Sequence, residues 1–157
     1  MPPLFFIVGP TGVGKTGIAA QVAARCNAEI IGADAFQIYS GLDILTAKPS
    51  PELLKKIPHH LVDVIPPAQD FDVAQYLEMA GKAAQEIHSR GRLPIVAGGT
   101  GLYVKALTHG LSDLPKSNPA LREKLEGCSL ENLREQLQEL DPDCAARIDL
   151  KNARRLV

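Results

Sequence analysis

Several kinds of site are missing from this sequence of 157 residues. Its three cysteines, Cys26, Cys128 and Cys144, lie far apart without a CxxC pair, which indicates reduced thiols in a cytoplasm. None of the four histidines has zinc-ligand spacing with a cysteine, so no metal–histidine site is predicted. The formal net charge is only −1. The protein as a whole therefore has no electrostatic field strong enough to attract nucleic acid or membranes. Any polyanion must therefore be held by a local basic patch.

Long hydrophobic runs are also missing. The first ten residues, MPPLFFIVGP, have no basic n-region and only a short apolar run, so they indicate neither a signal peptide nor a membrane span. With 45% hydrophobic and 22% charged residues, the composition is that of a soluble globular protein. At the other end, KNARRLV has a helical pattern without a cap or breaker, and we expect a truncated chain.

Four apolar segments have the character of buried strands, and the chain between the first two is glycine-rich and then helical. The predicted strands are Leu4–Gly9, Ala28–Asp34, His59–Ile65 and Arg92–Gly99. A long amphipathic helix is predicted from Asp72 to Ser89, with Gly91 as its stop. Strand, turn, helix and strand in this order predict a parallel α/β sheet.

Strand patterns cease after about Leu114. Asn118, Ser129 and Asp141 resemble helix N-caps, so three short amphipathic helices are predicted. We expect an α/β core over residues 1–114, a boundary near Pro115, and a helical subdomain over residues 115–157.

The segment GPTGVGKT fits the phosphate-binding pattern G-x-x-x-x-G-K-[ST] and stands between a predicted strand and helix. Its glycines allow backbone N–H groups to point at an anion, and the helix start adds positive potential. The lysine supplies a charge to phosphate oxygens, and the threonine hydroxyl suits Mg²⁺. The predicted diphosphate-binding residues are Gly9, Pro10, Thr11, Gly12, Val13, Gly14, Lys15 and Thr16. The pattern does not identify the molecule that carries the bound phosphate groups.

Two polar residues follow the second predicted strand, where a turn requires neither a carboxylate nor an amide. Asp34 lies at the carboxyl end of that strand, where open α/β sheets bind their ligands, and a carboxylate that caps a turn is the alternative. Enzymes that cleave ATP at such a loop usually hold Mg²⁺ with an aspartate at the end of a second strand, and both Asp34 and Asp63 suit that role. Asp63 is equally well explained as a helix N-cap or a loop carboxylate. Gln37 follows Asp34 by three residues, and an exposed loop amide is one explanation for it.

Five blocks, GPTGVGKT, DAFQIYSGLDILTAKP, PHHLVDV, AGGTGLYVKAL and DPDCAARI…NARRL, resemble in order and spacing the tRNA dimethylallyltransferases. The resemblance runs from Ile7 to Val157 and implies a P-loop NTPase-like fold. It also implies transfer of a dimethylallyl group from dimethylallyl diphosphate to N6 of the adenine 3′ of the anticodon. We expect a cytoplasmic monomer with tRNA as partner and Mg²⁺ as cofactor.

Residue roles follow from the same resemblance. Lys15 and Thr16 hold the diphosphate with Mg²⁺, with Thr16 as the metal ligand, and Asp34 is the general base on the adenine amine. The implied tRNA-binding residues are Asp34, Ala35, Phe36, Gln37, Thr100, Arg122, Arg154, Arg155, Leu156 and Val157. The Gln37 side chain suits the donor and acceptor edge of the target adenine. Thr100 is also explained as a helix N-cap, and the arginines as solvated helix surface. The family commonly has serine and glycine where this chain has Ala35 and Leu45.

The phosphate loop is also compatible with other functions. A small-molecule kinase would use it for ATP and needs an arginine-bearing lid, for which Arg122 or Arg147 is available. An adenylate isopentenyltransferase would use free AMP, ADP or ATP as acceptor. A third alternative is a fragment that binds diphosphate without catalysis. The family also extends well beyond the NARRL block, which leaves the activity of this exact chain open.

Overall fold

The computed structural model describes residues 2–112 and 118–157, which form two compact units, Met1–Leu111 and Ser112–Val157. Each unit has its own secondary structure. The boundary predicted near Pro115 falls outside the described residues.

The first unit contains a four-stranded parallel sheet in the order β1-β4-β2-β3. The strands are β1 (Phe5–Val8), β2 (Ala28–Ala33), β3 (His59–His60) and β4 (Leu93–Gly98). Every strand pairing is parallel, as the alternation of strands and helices predicts. The carboxyl ends of β1, β2 and β4 therefore lie at one edge of the sheet.

Four helices accompany these strands in the first unit: α1 (Lys15–Arg25), α2 (Pro51–Lys56), α3 (Val73–Ser89) and α4 (Gly101–His109). Side chains on β2 alternate between two apolar clusters. Ile30 packs with Ala19 and Ala23 of α1, while Ile31 packs with residues of α3 and α4. Helices thus cover both faces, which confirms the predicted α/β fold.

The long helix α3 begins and ends where the sequence predicts. Asp72 accepts a hydrogen bond from the Gln75 amide, and the Gln75 side chain accepts one from the Asp72 amide. This capping box satisfies two amide groups that the first turn would leave unpaired. Gly91 follows the helix with φ of 69°, a conformation that glycine adopts without strain.

Two strand predictions need correction. The predicted His59–Ile65 strand is only two residues long, because Leu61 and Asp63 have positive φ and residues 63–65 hydrogen-bond to Gln37 and Ile38 instead. Leu4–Gly9 was predicted to be buried on both faces. The observed β1 has β4 as its neighbour in the sheet, and Phe5 and Val8 remain 60% and 51% exposed.

Helix α2 was not predicted, although its signals are present in the sequence. Ser50 accepts a hydrogen bond from the Leu53 amide, and Pro51 occupies the first helical turn. Both are standard features of a helix N-terminus.

The second unit is helical, as predicted. It contains α5 (Pro119–Glu126), α6 (Leu130–Leu140), α7 (Pro142–Ala145) and a 3₁₀ turn, Ala153–Arg155. The side chains of Asn118, Ser129 and Asp141 accept hydrogen bonds from the first turns of α5, α6 and α7. Among the helices of residues 2–112 and 118–157, none combines the length and apolar character needed to cross a membrane.

Candidate active site

The phosphate loop connects β1 to α1 with the backbone that its glycines allow. Gly12 and Gly14 have φ of 85° and 82°, in the left-handed region that suits glycine. Gly14 is the N-cap of α1 and has no side chain to bond the first helical turn, which also contains no acidic residue. The amide groups and positive end of this helix are therefore available to an anion.

The lysine and threonine of the loop start the same helix. Lys15 donates from Nζ to the Pro10 carbonyl at 2.5 Å, across the loop that it follows. Both side chains are partly buried, and both line the cavity described below. A cation and a hydroxyl thus lie beside the helix N-terminus, an arrangement suited to phosphate oxygens and a metal ion.

Asp34 follows the last residue of β2, as predicted. Its Oδ1 accepts hydrogen bonds from the amides of Phe36 at 2.9 Å and Gln37 at 3.3 Å. Asp34 therefore does stabilise a turn, the alternative considered from sequence. Its second oxygen takes no part in that turn. A carboxylate fixed through one oxygen can present the other as a proton acceptor.

The end of β4 holds this turn in place. Thr100 donates its amide to the Ala33 carbonyl at 3.0 Å, and its Oγ1 accepts a hydrogen bond from the Ala35 amide at 2.9 Å. These contacts bracket Asp34. Thr100 is the N-cap residue of α4, but its side chain makes no capping hydrogen bond there. Its hydroxyl is used to hold the Asp34 turn instead.

A glycine makes this close approach possible. Gly98 is paired with Ala33 in the parallel register, and a Cβ at Gly98 would lie 2.1 Å from the Ala33 carbonyl oxygen. Such a distance is far inside van der Waals contact. Any residue other than glycine at this position would push the end of β2 away from β4.

Gln37 binds a loop that sequence reasoning did not place in the site. Its Nε2 donates to the Thr46 carbonyl at 3.1 Å and to the Ala47 carbonyl at 3.2 Å. Both amide hydrogens are thereby used, so bidentate recognition of adenine by Gln37 would require them to be released. The side-chain oxygen remains as the acceptor end.

Lys48 anchors the same loop and was also missed. Its side chain is 3% exposed, and Nζ contacts Asp43 at 2.7 Å and Asp63 at 2.5 Å. Burial alone would lower the pKa of Lys48, but the hydrogen bonds to the two aspartates outweigh burial and raise it. Asp63 is thereby engaged in an ion pair and also accepts a hydrogen bond from the Gly41 amide, contacts that fit the loop-carboxylate alternative.

One cavity of about 330 Å³ joins these elements. It is lined by Thr11, Gly12, Gly14, Lys15, Thr16, Asp34, Gln37, Thr46, Ala47, Ala97 and Gly98. The phosphate loop and Asp34 therefore face the same space. Gly9, Pro10 and Val13 of the predicted loop do not line it, nor do Ala35, Phe36 and Thr100. Thr100 contributes by holding the Asp34 turn, and Phe36 is exposed.

The second unit brings together part of the predicted tRNA-binding set. Arg122, Arg154 and Val157 line one pocket of about 230 Å³, which Arg155 and Leu156 do not line. Arg122 forms an ion pair with Glu126 one helical turn away, at 2.9 Å. Arg154 and Arg155 are exposed in the 3₁₀ turn, where the Arg154 amide donates a hydrogen bond to the Asn152 side chain. The pocket thus has cationic groups at a surface of the helical unit.

A family model described as "IPP transferase" matches residues 37–157, and a second, "Isopentenyl transferase", matches residues 2–64. The chain is 45% identical to a tRNA dimethylallyltransferase of Alkalilimnicola ehrlichii, across 99% of the chain and 50% of the relative. The chain thus spans about half the length of the curated relatives it matches.

Solved structures have the same fold. A full-length tRNA isopentenylpyrophosphate transferase from Bacillus halodurans is 40% identical with a TM-score of 0.70, covering 99% of this chain and 53% of its own. A eukaryotic dimethylallyltransferase acting on tRNA is 29% identical with a TM-score of 0.85, covering 98% of this chain and 39% of its own.

Proposed function

The chain belongs to the IPP transferase family, and from that premise we propose that the intact protein transfers a dimethylallyl group from dimethylallyl diphosphate to N6 of the adenine 3′ of the anticodon in tRNA. The observation that carries the proposal is the single cavity in which the phosphate loop and Asp34 face each other. Such a cavity can hold a leaving group at one end and a proton acceptor at the other.

The phosphate end is proposed to bind the diphosphate. When the C–O bond of the prenyl diphosphate breaks, its electron pair remains on the diphosphate. Lys15 and the first amides of α1 stabilise that developing charge, and preorganised groups of this kind are the largest source of rate in many enzymes. The prenyl carbon then points away from the loop, into the same cavity.

Mg²⁺ is proposed to accompany the diphosphate. The Thr16 hydroxyl and the Asp34 carboxylate line the cavity and supply the hard oxygen atoms that this ion prefers, alongside phosphate oxygens and water. When bound, the ion would neutralise charge on the leaving diphosphate. Thr16 is the proposed ligand, since Asp34 is needed for a proton.

Asp34 is proposed as the general base. The adenine N6 is a poor nucleophile because its lone pair is delocalised into the ring. As the new N–C bond forms, the amine proton passes to the Asp34 oxygen that the turn leaves free. A positioned base typically contributes about 10²- to 10⁴-fold to the rate. The adenine must leave its stack to reach this cavity.

The tRNA is proposed to bind partly through the helical unit. A chain with a formal net charge of −1 needs local cationic groups for a polyanion, and Arg122 and Arg154 share one surface pocket. Residues 34–37 and Thr100 form or support the proposed adenine side of the cavity. A cytoplasmic location and a monomeric state remain predictions.

The test is prenyl transfer by the intact gene product from labelled dimethylallyl diphosphate, with tRNA, AMP and ATP offered in parallel. We expect label in tRNA only, at the adenine 3′ of the anticodon, and none with Lys15→Ala, which loses the charge on the leaving group. Label in AMP or ATP instead would indicate an adenylate isopentenyltransferase. ATP turnover with a small acceptor and no prenyl transfer would indicate a kinase.

A further inference from the structure

A second and much smaller cavity adjoins the first. Its volume is about 20 Å³, and Thr16, Gln37 and Ala97 form part of the walls of both cavities. A cavity needs about 10–15 Å³ to hold one water molecule. The only other polar side chain in its wall is His59. The space is thus large enough to admit a water, and three polar side chains line it.

The tautomer of His59 can be deduced from its neighbours. Its Nδ1 lies 2.7 Å from the Ile57 carbonyl oxygen, which can only accept, so Nδ1 carries the proton. Nε2 of the neutral ring is then an acceptor. It is fully buried and has no hydrogen-bond partner among the residues that the structure describes. Burial also lowers the pKa of His59, which favours the neutral ring.

The other two polar side chains, Gln37 and Thr16, present an acceptor and a donor, respectively. The Gln37 amide nitrogen is committed to Thr46 and Ala47, so its oxygen is the end available to a donor. The Thr16 hydroxyl has one proton, and if its oxygen lone pairs face a cation, that proton must go to an acceptor elsewhere. One water could satisfy all three groups.

We infer that one ordered water occupies this cavity, donates to His59 Nε2 and to the Gln37 side-chain oxygen, and accepts the proton of Thr16, so that His59 is a positioning residue for the Thr16 hydroxyl. Three hydrogen bonds are typical of a buried water. The arrangement turns the Thr16 oxygen toward the diphosphate cavity. This last consequence rests on the proposed function, whereas the water site itself does not.

The water site is tested on the unmodified protein. A high-resolution crystal structure of the intact gene product should show a water within about 2.7–3.2 Å of His59 Nε2. Nitrogen NMR of the His59 side chain should show a neutral ring with its proton on Nδ1. An empty cavity, or a proton on Nε2, would overturn the inference. Neither measurement depends on prenyl transfer or on the identity of the acceptor.

The positioning role is tested by binding of inorganic diphosphate, measured by calorimetry with Mg²⁺ and with a chelator. His59→Phe removes the acceptor, and loss of one such hydrogen bond should weaken Mg²⁺-dependent binding by about 3- to 10-fold while leaving binding in chelator unchanged. His59→Gln, which retains an acceptor, should recover part of the loss. The role is refuted if a folded His59→Phe binds within a factor of about two of wild type in Mg²⁺.

A matched control lies next in the chain. His60 contacts Glu29 at 2.6 Å, and successive strand residues point to opposite faces, so His60→Gln perturbs the same strand away from the cavity. It should leave both affinities unchanged. An equal loss for His60→Gln and His59→Phe would contradict a specific role of His59. Should His59→Phe fail to fold, the water and the tautomer of the wild-type protein decide the question.

Discussion

Replacement of Gly98 by alanine tests how closely the carboxyl ends of β2 and β4 must approach each other for Asp34 to serve as the general base. The added Cβ would lie 2.1 Å from the Ala33 carbonyl oxygen and 2.4 Å from its carbon, both backbone atoms that no rotamer change can move away. Real Cβ atoms essentially never approach closer than 3.0 Å. The strand end must therefore shift by at least the difference, 3.0 − 2.1 = 0.9 Å.

This shift acts directly on the proposed base. Asp34 follows Ala33, and its turn is held by the two hydrogen bonds of Thr100 at 2.9 and 3.0 Å. A displacement of about 1 Å can cost roughly 10²-fold in rate when reacting groups are misplaced. We therefore expect Gly98→Ala to lower kcat for prenyl transfer by about 10²-fold, with a smaller loss of diphosphate affinity.

The assay compares Gly98→Ala with Gly101→Ala in the intact gene product, at saturating dimethylallyl diphosphate and tRNA. A Cβ at Gly101 meets nothing within 4 Å among the described residues, so this control should retain the wild-type rate. Circular dichroism and thermal melting establish that both variants are folded. A folded Gly98→Ala with a kcat within about twofold of wild type would refute the requirement for close approach.

Three further outcomes are expected. Asp34→Asn keeps the turn, because an amide oxygen also accepts hydrogen bonds, but it cannot take a proton, so kcat should fall by roughly 10²-fold at unchanged prenyl diphosphate affinity; a normal kcat would exclude Asp34 as the base. Arg122→Ala should raise KM for tRNA. It should also reduce the slope of log affinity for tRNA against log salt concentration by about one unit or less. Loss of prenyl diphosphate affinity alone would instead indicate that Arg122 is a kinase lid arginine. Glu29 is 3% exposed; burial raises the pKa of its carboxyl, but hydrogen bonds from Arg90 and His60 outweigh burial and lower the pKa below 4.5. The contribution of Glu29 to stability is therefore present above that value and lost as the pH falls through the folded pKa. The stability advantage of wild type over Glu29→Gln should shrink as the pH falls below about 4.5 in urea titrations, and a difference that does not change with pH would contradict the direction of the pKa shift.

The predictions that succeeded from sequence rest on short-range signals. The phosphate loop is recognised because glycine, lysine and threonine occupy fixed positions between a strand and a helix, within eight residues of chain. The start of α3 at Asp72 and the helix starts of the second unit follow from side chains that bond amides two or three residues away. The position of Asp34 after β2 follows from the end of an apolar run.

The predictions that failed involve neighbours that local patterns do not encode. The segment after His60 has the composition of a strand, but residues 63–65 pair with the loop after β2 rather than extend along β2. β1 has an apolar sequence, yet its burial depends on what lies beside it in the sheet. Lys48 and Thr46 were overlooked because nothing in the sequence around them distinguishes a buried lysine that pairs with aspartates from a solvated loop.

The sequence by itself therefore determined the chemistry that this protein can offer: a phosphate loop, a carboxylate at a strand end, and a helical unit with arginines. It did so because glycine conformations, helix caps and hydrophobic periodicity act over a few residues. The tertiary structure alone decided which groups meet. The contact of Thr100 with Ala35 spans 65 positions and that of Lys48 with Asp63 spans 15, and such contacts form only when separate strands and loops are packed together. The close approach at Gly98, the engagement of Gln37 with the Thr46 loop and the buried face of His59 follow from that packing.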